Sequence, residues 1–487
     1  MSFLSHYPHI RTVRELAKKK KVKVHLVGGF LRDALISRPC MDFDFAVEKN
    51  AVALAKDFAD AVKGAFVLLD EENGCARVVK KTPRGTEIYD FADYRAKTLE
   101  KDLARRDFVL NTLIADIGRL ADGAVLAGVI LDPLKARKDI AGKIIRMTSA
   151  KAFKDDPLRL LRAYSLRAQL DFKIAAPTLA QIKKNKQLIH DVSAERVRDE
   201  LFKIFSAADT GGILKEMDRD GLLAEVIPQI RVMYKVKQGG YHHLDVWKHS
   251  LEAVVQLDGV LREFADDKEV REYLDEEFGG HKRFALIKLA MLLHDIGKPQ
   301  TKKKEKDRFS FHGHEHVGRD ICRHIAKMLK LSTDERYKLE DMVRWHLRPG
   351  YLGDFKTKPT ARAIFRYFRD TKDEGASILI LSIADQRATR GPMTTKRDEE
   401  HHVKTCRMLI KKFFEKRNEK PIVRLVTGHD LIKKLKLTPS PLFAKILSAV
   451  EEKQALGKVT TREEALALAK RIAKCNENPK HKTRNYK

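Results

Sequence analysis

The sequence predicts an α+β head followed by an all-α remainder. Two patterns carry this expectation. Over residues 1–148, short β-like runs alternate with helical ones in a mixed order that does not form a regular βαβ array. From Ser149 onward the β signal nearly vanishes and helical periods take over. Of the 487 residues, 43% are apolar and 34% charged, which suits a folded, highly charged protein and excludes a disordered chain. Lys plus Arg is 97 against 68 Asp plus Glu, a formal charge of +29 spread over most of the chain. That surplus points to a polyanionic partner, because neutralising phosphate is what it does well.

In order, Lys23 to Val27 reads as a strand ending at Gly28-Gly29, and Phe30 to Ile36 as a helix. Asp42 to Val47 is a second strand and Ala51 to Val62 an amphipathic helix. Strands follow at Phe66 to Leu69, Ala76 to Val79 and Thr86 to Phe91, separated by turn signals at Asn73-Gly74 and Pro83-Arg84-Gly85. Pro157 to Leu170 reads as a helix with proline in its first turn, and Ala194 to Phe205 as another. Residues 241–400 are His-rich and helical; the last helical segment runs from about Thr427 to Ala473, and a polar, basic end is expected to fray. The expected domains are a head (1–148), a neck (149–235), a His-rich domain (236–400) and a tail (401–487). Apolar runs fall short of a membrane span, Met1 to Ile10 lacks a signal layout, and five scattered cysteines fit neither a disulfide framework nor a zinc ribbon. A reducing cytoplasm is the expected location.

Two groups of residues carry chemistry. Gly28-Gly29 at a strand-to-helix turn lets backbone approach a phosphate closely. In Asp42-Phe43-Asp44 the period of a strand puts both carboxylates on one face. Two like charges so close favour a cation between them, and Mg²⁺ binds through one or two carboxylates plus substrate phosphates. Asp90 is a candidate third carboxylate on the same sheet, and Arg105 and Arg106 supply fixed positive charge.

These motifs are dense and ordered over about residues 22–207, and there the chain resembles the class II tRNA nucleotidyltransferase and poly(A) polymerase family. The resemblance rests on Leu26-Val27-Gly28-Gly29 with Arg32-Asp33, Asp42 and Asp44, Arg105-Arg106-Asp107 with Asn111, and Asp132-Pro133. It continues in Asp155-Asp156-Pro157-Leu158-Arg159 with Arg162, and in Glu195-Arg196 with Glu200. It implies that Asp42 and Asp44, with Asp90, are catalytic and that the pair holds Mg²⁺. Gly28, Gly29, Arg32, Arg105, Arg106, Asp107, Asn111 and Arg162 would serve the nucleotide. Asp156 and Arg159, three apart on one helix face, would pair with the incoming base, since Asp accepts from an exocyclic amine and Arg donates to ring acceptors.

Two departures stand out. The family's D-P-x-G-G-x-x-D-L becomes Asp132-Pro133-Leu134-Lys135-Ala136-Arg137-Lys138-Asp139-Ile140, without either glycine, so a different local turn is expected. Little but Ala92 to Lys101 separates Phe91 from the helix bearing Leu103-Ala104-Arg105, and a short segment here resembles the CC-adding members. The implied reaction is addition of C (CC, or CCA) to a tRNA 3′ end from CTP and, for CCA, ATP, releasing pyrophosphate. The alternatives are a poly(A) polymerase, a catalytically silent RNA-binding protein, and a nucleotidase with an RNA-anchoring head.

The second group lies in Leu292-Leu293-His294-Asp295-Ile296-Gly297-Lys298, a His-Asp pair expected inside an apolar helix, where burial is costly unless something binds it. With His249 upstream and Asp385 downstream, the order H…HD…D resembles the HD phosphohydrolase superfamily. It implies that His249, His294, Asp295 and Asp385 hold a divalent metal: Mn²⁺, Ni²⁺, Fe²⁺ or Mg²⁺. His312, His314, His316 and His346 are candidates for a second metal, with His314 and His346 the preferred pair. The implied side activity is hydrolysis of phosphomonoesters or 2′,3′-cyclic phosphates at RNA ends. The tail, with Thr460 to Glu464 capping a helix and Lys433, Lys434 and Lys436 near its start, resembles the family's tRNA-contacting end.

Overall fold

The computed structural model describes residues 7–477 apart from 97, 121–125, 307, 353–357 and 420–422. The basic end at 478–487 therefore lies outside the described residues. The chain divides into two units, Met1–Pro228 and Gln229–Lys487.

The first unit is built on a six-stranded mixed sheet. Its elements are α1 (Pro8–Lys20), β1 (Val24–Val27), α2 (Gly29–Leu35), β2 (Asp42–Val47), α3 (Ala51–Val62), β3 (Ala65–Asp70), β4 (Cys75–Thr82), β5 (Gly85–Asp93), α4 (Leu99–Leu103) and β6 (Ile114–Asp116). The strand order is β3-β4-β5-β2-β1-β6, and only β2 and β5 run parallel. That parallel pair forms because α3 and the β3–β4 meander carry the chain back between them. Along β2, Phe43 and Phe45 point to one face, where they stack on Tyr89 and Phe91 of β5, and Phe58 of α3 packs against those two rings in turn. The other face is left to Asp42 and Asp44, and the register sets Asp44 directly against Asp90.

After the sheet come α5 (Ala136–Ala141), α6 (Ala152–Asp155), α7 (Arg159–Leu170) and α8 (Ala194–Phe205). Two expectations need correction here. Asp156 and Arg159 do not share a helix face: Asp156 is extended (φ −150°) between α6 and α7. Proline at 157 disfavours helical backbone at the residue before it, and the Asp156 carboxylate instead accepts from Leu158 N–H at 3.3 Å. Arg105 is not helical either, because α4 ends at Leu103. At the altered D-P motif, Lys135 still adopts the left-handed conformation (φ 62°) that a glycine would take, while Asp132 accepts from Ala136 N–H (2.6 Å) and Arg137 N–H (2.9 Å). The glycines are gone, but a left-handed turn stands in their place.

The second unit is helical, with short two-stranded ribbons. Its main elements are α9 (Val246–Glu263), α10 (Arg283–Leu293), α11 (His314–Met328), α12 (Thr333–Trp345), α13 (Gly375–Ala388), α14 (Lys396–Asn418), α15 (Pro441–Ala455) and α16 (Arg462–Glu477). Helices α10 and α13 are buried along nearly every residue, so they form the core that the others enclose. The α15–α16 hairpin has its own small core of Leu431, Ile446, Val450, Ala465 and Ala469. Thr461 and Glu464 cap α16 reciprocally. No helix among the described residues is long and apolar enough to cross a membrane.

Candidate active site and candidate metal centre

In the first unit a cavity of about 300 Å³ opens beside the acidic face of β2. Its walls include Asp44, Asp90, Arg105, Arg106, Asp107, Asp156, Arg159, Arg162 and Arg196. Gly28 takes φ 82° at the end of β1, and a Cβ there would stand 2.9 Å from Asp44 Oδ2, so only glycine lets the strand end lie against that carboxylate. Burial, reinforced by the charge of Asp42, pushes Asp44 up to about 6. Asp42 is also raised, by burial and by Asp90. Two acids that resist ionisation beside one another are what a bound cation would relieve, so the donor set fits Mg²⁺. Asp90 is different. Arg77, opposite it across β4–β5, clamps it with two hydrogen bonds of 2.8 and 2.7 Å.

The remaining candidates separate into two sets. Arg32 and Asn111, expected at the nucleotide, are buried and absent from the described cavity walls. Arg32 donates to Asp33 (2.8 Å) and to Asn111 (2.7 Å), Asn111 donates to Asp107 (3.1 Å), and Asp107 pairs with Arg162 (2.9 Å). This chain of bonds holds the Arg162 guanidinium from behind. Against its burial, Arg162 and Asn111 hold the Asp107 carboxyl below its usual range. Gly29 opens α2 next to Arg32 and likewise stays outside the walls. Of the two residues expected at the base, Asp156 pairs with Arg196 at 3.0 Å. The Arg159 guanidinium donates to the carbonyls of Arg105 (2.8 Å), Ala152 (3.1 Å) and Arg106 (3.4 Å). Sequence reasoning gave no role to Arg77 and none by itself to Arg196; alternation along β4 was the available signal for Arg77.

In the second unit, His249 on α9, His294 and Asp295 after α10, His314 at the start of α11, His346 at the end of α12 and Asp385 on α13 converge. His249, His294 and Asp295 offer ligand atoms within 4.8 Å of one another, and so do Asp295, His314 and His346. Asp295 belongs to both groups. His249 Nε2 lies 2.9 Å from Asp385, and His314 Nε2 lies 3.3 Å from Asp295. Three of the imidazoles are oriented alike: Nδ1 of His294, His314 and His346 each meets the carbonyl three residues earlier, at 2.7, 2.8 and 2.7 Å. A donor at Nδ1 leaves the Nε2 lone pair facing the cluster, the tautomer a metal needs. His294 Nε2 is buried without a hydrogen-bond partner, which again fits a divalent cation. Burial disfavours a charged His294, yet Asp295 and Asp385 outweigh it and raise its pKa. His346 is pushed down to about 3 by burial and by His314.

The His-Asp pair is not inside a helix. Helix α10 ends at Leu293, His294 caps it, and a turn follows in which Lys298 N–H donates to Asp295 carbonyl oxygen. The reason is Gly297: a Cβ there would overlap the backbone of His314 and Gly318, so the close packing of this turn on α11 requires glycine. His312 and His316 are exposed and do not join the cluster. Two groups went unassigned in the sequence. Lys298 Nζ sits 2.6 Å from Asp295. The His242 ring lies 4.7 Å from that of His249, and burial together with Lys298 pushes its pKa down to about 3.

Comparison with known proteins agrees with this division of chemistry. Residues 24–146 match the poly A polymerase head domain, 171–233 an RNA- and SrmB-binding site of polymerase A, 241–390 the HD domain and 402–469 a tRNA nucleotidyltransferase domain 2. The chain is 31% identical to an A-adding tRNA nucleotidyltransferase of Deinococcus radiodurans, over 92% of this chain and 95% of the relative. The chain belongs to the tRNA nucleotidyltransferase family. A CC-adding tRNA nucleotidyltransferase of Geobacter sulfurreducens is 29% identical over 96% of this chain and 95% of its own length. Among solved structures, a CCA-adding enzyme in apo form I superposes with a TM-score of 0.61 at 20% identity, covering 94% of this chain and 92% of that one. A CCA-adding enzyme with ATP gives 0.61 at 18%, covering 97% and 96%. At such identities the likeness is one of fold: a mixed-sheet head followed by helices.

Proposed function

We propose that this chain adds nucleotides to the 3′ end of tRNA without a nucleic-acid template, using CTP and releasing pyrophosphate. One observation supports the reading: Asp42 and Asp44 share a strand face, and Asp44 walls a cavity that Arg105, Arg106, Asp156 and Arg159 also line. The 3′-hydroxyl oxygen of the RNA bonds to the α-phosphorus of the nucleotide as the bond to pyrophosphate breaks and the hydroxyl proton is released. Mg²⁺ held by Asp42 and Asp44 would supply activation of that hydroxyl and charge neutralisation on the leaving group. Arg105 and Arg106 face the triphosphate, Asp107 fixes Arg162, and Asp156 with Arg159 reads the base. Asp90, held by Arg77, supports the pair from the neighbouring strand.

Addition of two cytidines is the favoured pattern, because the connection from β5 to α4 is only residues 94–98. Addition of A is the second reading, motivated by the name of the Deinococcus radiodurans relative. The deciding experiment incubates the purified chain with tRNAs lacking the 3′ terminus, ending in one C and ending in two, with each NTP. Two C additions followed by arrest support the first reading, and A added only to the CC end supports the second. ATP run-on without CTP use would mean a poly(A) polymerase. Undiminished extension by Asp42→Ala/Asp44→Ala would sink the whole proposal.

The HD cluster is read as a hydrolase centre for phosphomonoesters or 2′,3′-cyclic phosphates at RNA ends, with His249, His294, Asp295 and Asp385 holding one divalent metal and His314 and His346 extending the site through Asp295. Asp295→Ala is expected to abolish that hydrolysis and spare nucleotide addition. The tail, with Lys433, Lys434 and Lys436, would meet tRNA phosphates by shape rather than sequence.

A further inference from the structure

We propose that the chain pairs with a second copy of itself along the outer edge of β3, joining the two six-stranded sheets across a two-fold axis. This pairing is independent of how the nucleotide and hydrolase sites are read. Strand β3 stands last in the sheet, and among the described residues only β4 bonds to it. The opposite edge is closed. Strand β6 is three residues long, and Ile114 exchanges backbone hydrogen bonds with Leu131 (3.2 and 2.8 Å). Edge strands that stay unpaired are usually blunted by lysine, proline or an inward charge. Ala65-Phe66-Val67-Leu68-Leu69 carries none of these, in a chain that is 34% charged. Val67 and Leu68 are each 44% exposed and Leu69 50%. The pairing with β4 turns irregular only between Leu68 and Asp70, so Ala65 to Leu68 keep a regular register.

The charges at the two ends of the strand select the occupant. Lys63 precedes β3, and Asp70, Glu71 and Glu72 follow its apolar run; all four are exposed. Asp70 is engaged by Asn73 (3.0 and 2.7 Å), whereas Lys63 and Glu71 make no ion pair among the described residues. In an antiparallel pairing centred on Val67, Val67 meets its own copy, Phe66 meets Leu68, Ala65 meets Leu69 and Lys63 meets Glu71. The last pair occurs twice, so the edge is complementary in charge to itself. Parallel pairing would instead set lysine on lysine and acid on acid. Opposite residues of an antiparallel pair point to the same face, so the two-fold axis stands perpendicular to the sheet. Val67 faces Arg77, Arg77 faces Asp90 and Asp90 faces Asp44. One row of residues thus runs from the acidic pair to the axis. Both copies would open their acidic faces on one side, about seven strand spacings or ~34 Å apart. Because β6 is closed, the pairing ends at two chains rather than growing into a fibre.

Sedimentation velocity of the full-length protein, at physiological salt and from low to high micromolar concentration, tests the pairing. A reversible dimer is expected. Val67→Lys places two lysines at the axis and should weaken association about tenfold. Lys63→Glu and Glu71→Lys should each weaken it by a similar factor, because each sets like charges opposite one another twice. The double exchange, Lys63→Glu with Glu71→Lys, should restore it, an outcome that no other interface predicts. All three side chains are exposed, and thermal melts of the variants report that each is folded. Amide hydrogen exchange at Ala65 to Leu69 should slow as the protein is concentrated. A chain that stays monomeric throughout, a dimer indifferent to Val67→Lys, a double exchange that fails to restore association, or species larger than a dimer would overturn the proposal. Protection of β3 that does not depend on concentration would assign the edge to a segment of the same chain, and would overturn it equally.

Discussion

Replacing Asp44 with asparagine separates what the carboxylate does for chemistry from what it does to stability. In the metal-free protein Asp44 is pushed from 3.8 up to about 6 by burial and by Asp42. In the unfolded chain the group loses its proton near 4; in the folded protein it keeps it to about pH 6. Folding therefore favours the protonated form, and the native state loses stability as pH rises through that window. A shift of about two units corresponds to ~3 kcal/mol at most. The residue is partly open to solvent, which lowers the expected effect to about 1–2 kcal/mol. The asparagine side chain has the same shape and no proton to lose. In EDTA at pH 7.5 the Asp44→Asn variant should be more stable by that amount, and its first unit should melt about 2–6 °C higher. At pH 4 the difference should vanish. Added Mg²⁺ should narrow it at pH 7.5, because only the wild type gains from the ion. Nucleotide addition should be lost throughout. Thermal denaturation at the two pH values, with and without Mg²⁺, provides the measurement. An Asp44→Asn variant no more stable than wild type at pH 7.5, or equally stabilised at both pH values, would refute the like-charge argument for the site.

Three further outcomes test other parts of the molecule. Lys135 holds φ 62° without glycine, so Lys135→Gly should raise chemical-denaturation stability by about 0.5–1 kcal/mol and leave activity unchanged; destabilisation would mean that the left-handed turn is not strained. Arg77→Met removes both hydrogen bonds to Asp90 and leaves a third uncompensated charge near Asp42 and Asp44, so calorimetric Mn²⁺ binding to the first unit's site should tighten about fivefold, ~1 kcal/mol; an unchanged affinity would show that the clamp does not compete with the ion. Gly297→Ala should cost about 1–3 kcal/mol in the second unit and abolish its stabilisation by Mn²⁺, with tRNA extension retained; a full Mn²⁺ response would show that the turn tolerates a Cβ.

Where one periodicity dominates, the sequence was enough. Asp42-Phe43-Asp44-Phe45 alternates cleanly, and β2 begins with that alternation and runs on through the buried Ala46 and Val47. Ala51 to Val62 buries Leu54, Ala55, Phe58 and Val62 at helical spacing and folds as a helix over that span. Strand β6 escaped notice because three residues, Ile114 to Asp116, are too few to show a period, and pairing with β1 creates the strand. Site residues were legible by type, not by depth. Arg32 and Asn111 have the side chains of phosphate ligands, but burial turns them into struts, and burial depends on contacts between residues some eighty positions apart. The histidines show the same limit. His312, His314 and His316 lie two apart on one short stretch, and only the start of α11 at His314 decides which one turns inward.

The positions of Asp156 and Arg159 bear on how a protein without a template could select a base. Neither side chain is idle: Arg196 occupies Asp156, and three backbone carbonyls occupy the Arg159 guanidinium. An incoming base must therefore exchange hydrogen bonds rather than fill vacant donors, and an exchange that leaves any buried carbonyl unpaired costs about 1–3 kcal/mol. Two of those carbonyls belong to Arg105 and Arg106, the residues proposed to face the triphosphate. Arg105 in turn donates to the Arg95 carbonyl at 2.7 Å, and Arg95 N–H donates to Asp102 at 2.9 Å, so the short segment after β5 belongs to the same bonded frame. A base that matches Asp156 and Arg159 replaces the bonds it breaks; one that mismatches leaves polar groups unpaired. Because Arg159 bonds the backbone beneath the phosphate-facing arginines, a mismatch would disturb their placement as well. If Asp156 and Arg159 read the base as proposed, base selection and triphosphate alignment would be coupled through one guanidinium, and a short connection between β5 and α4 would restrict acceptance of a second base.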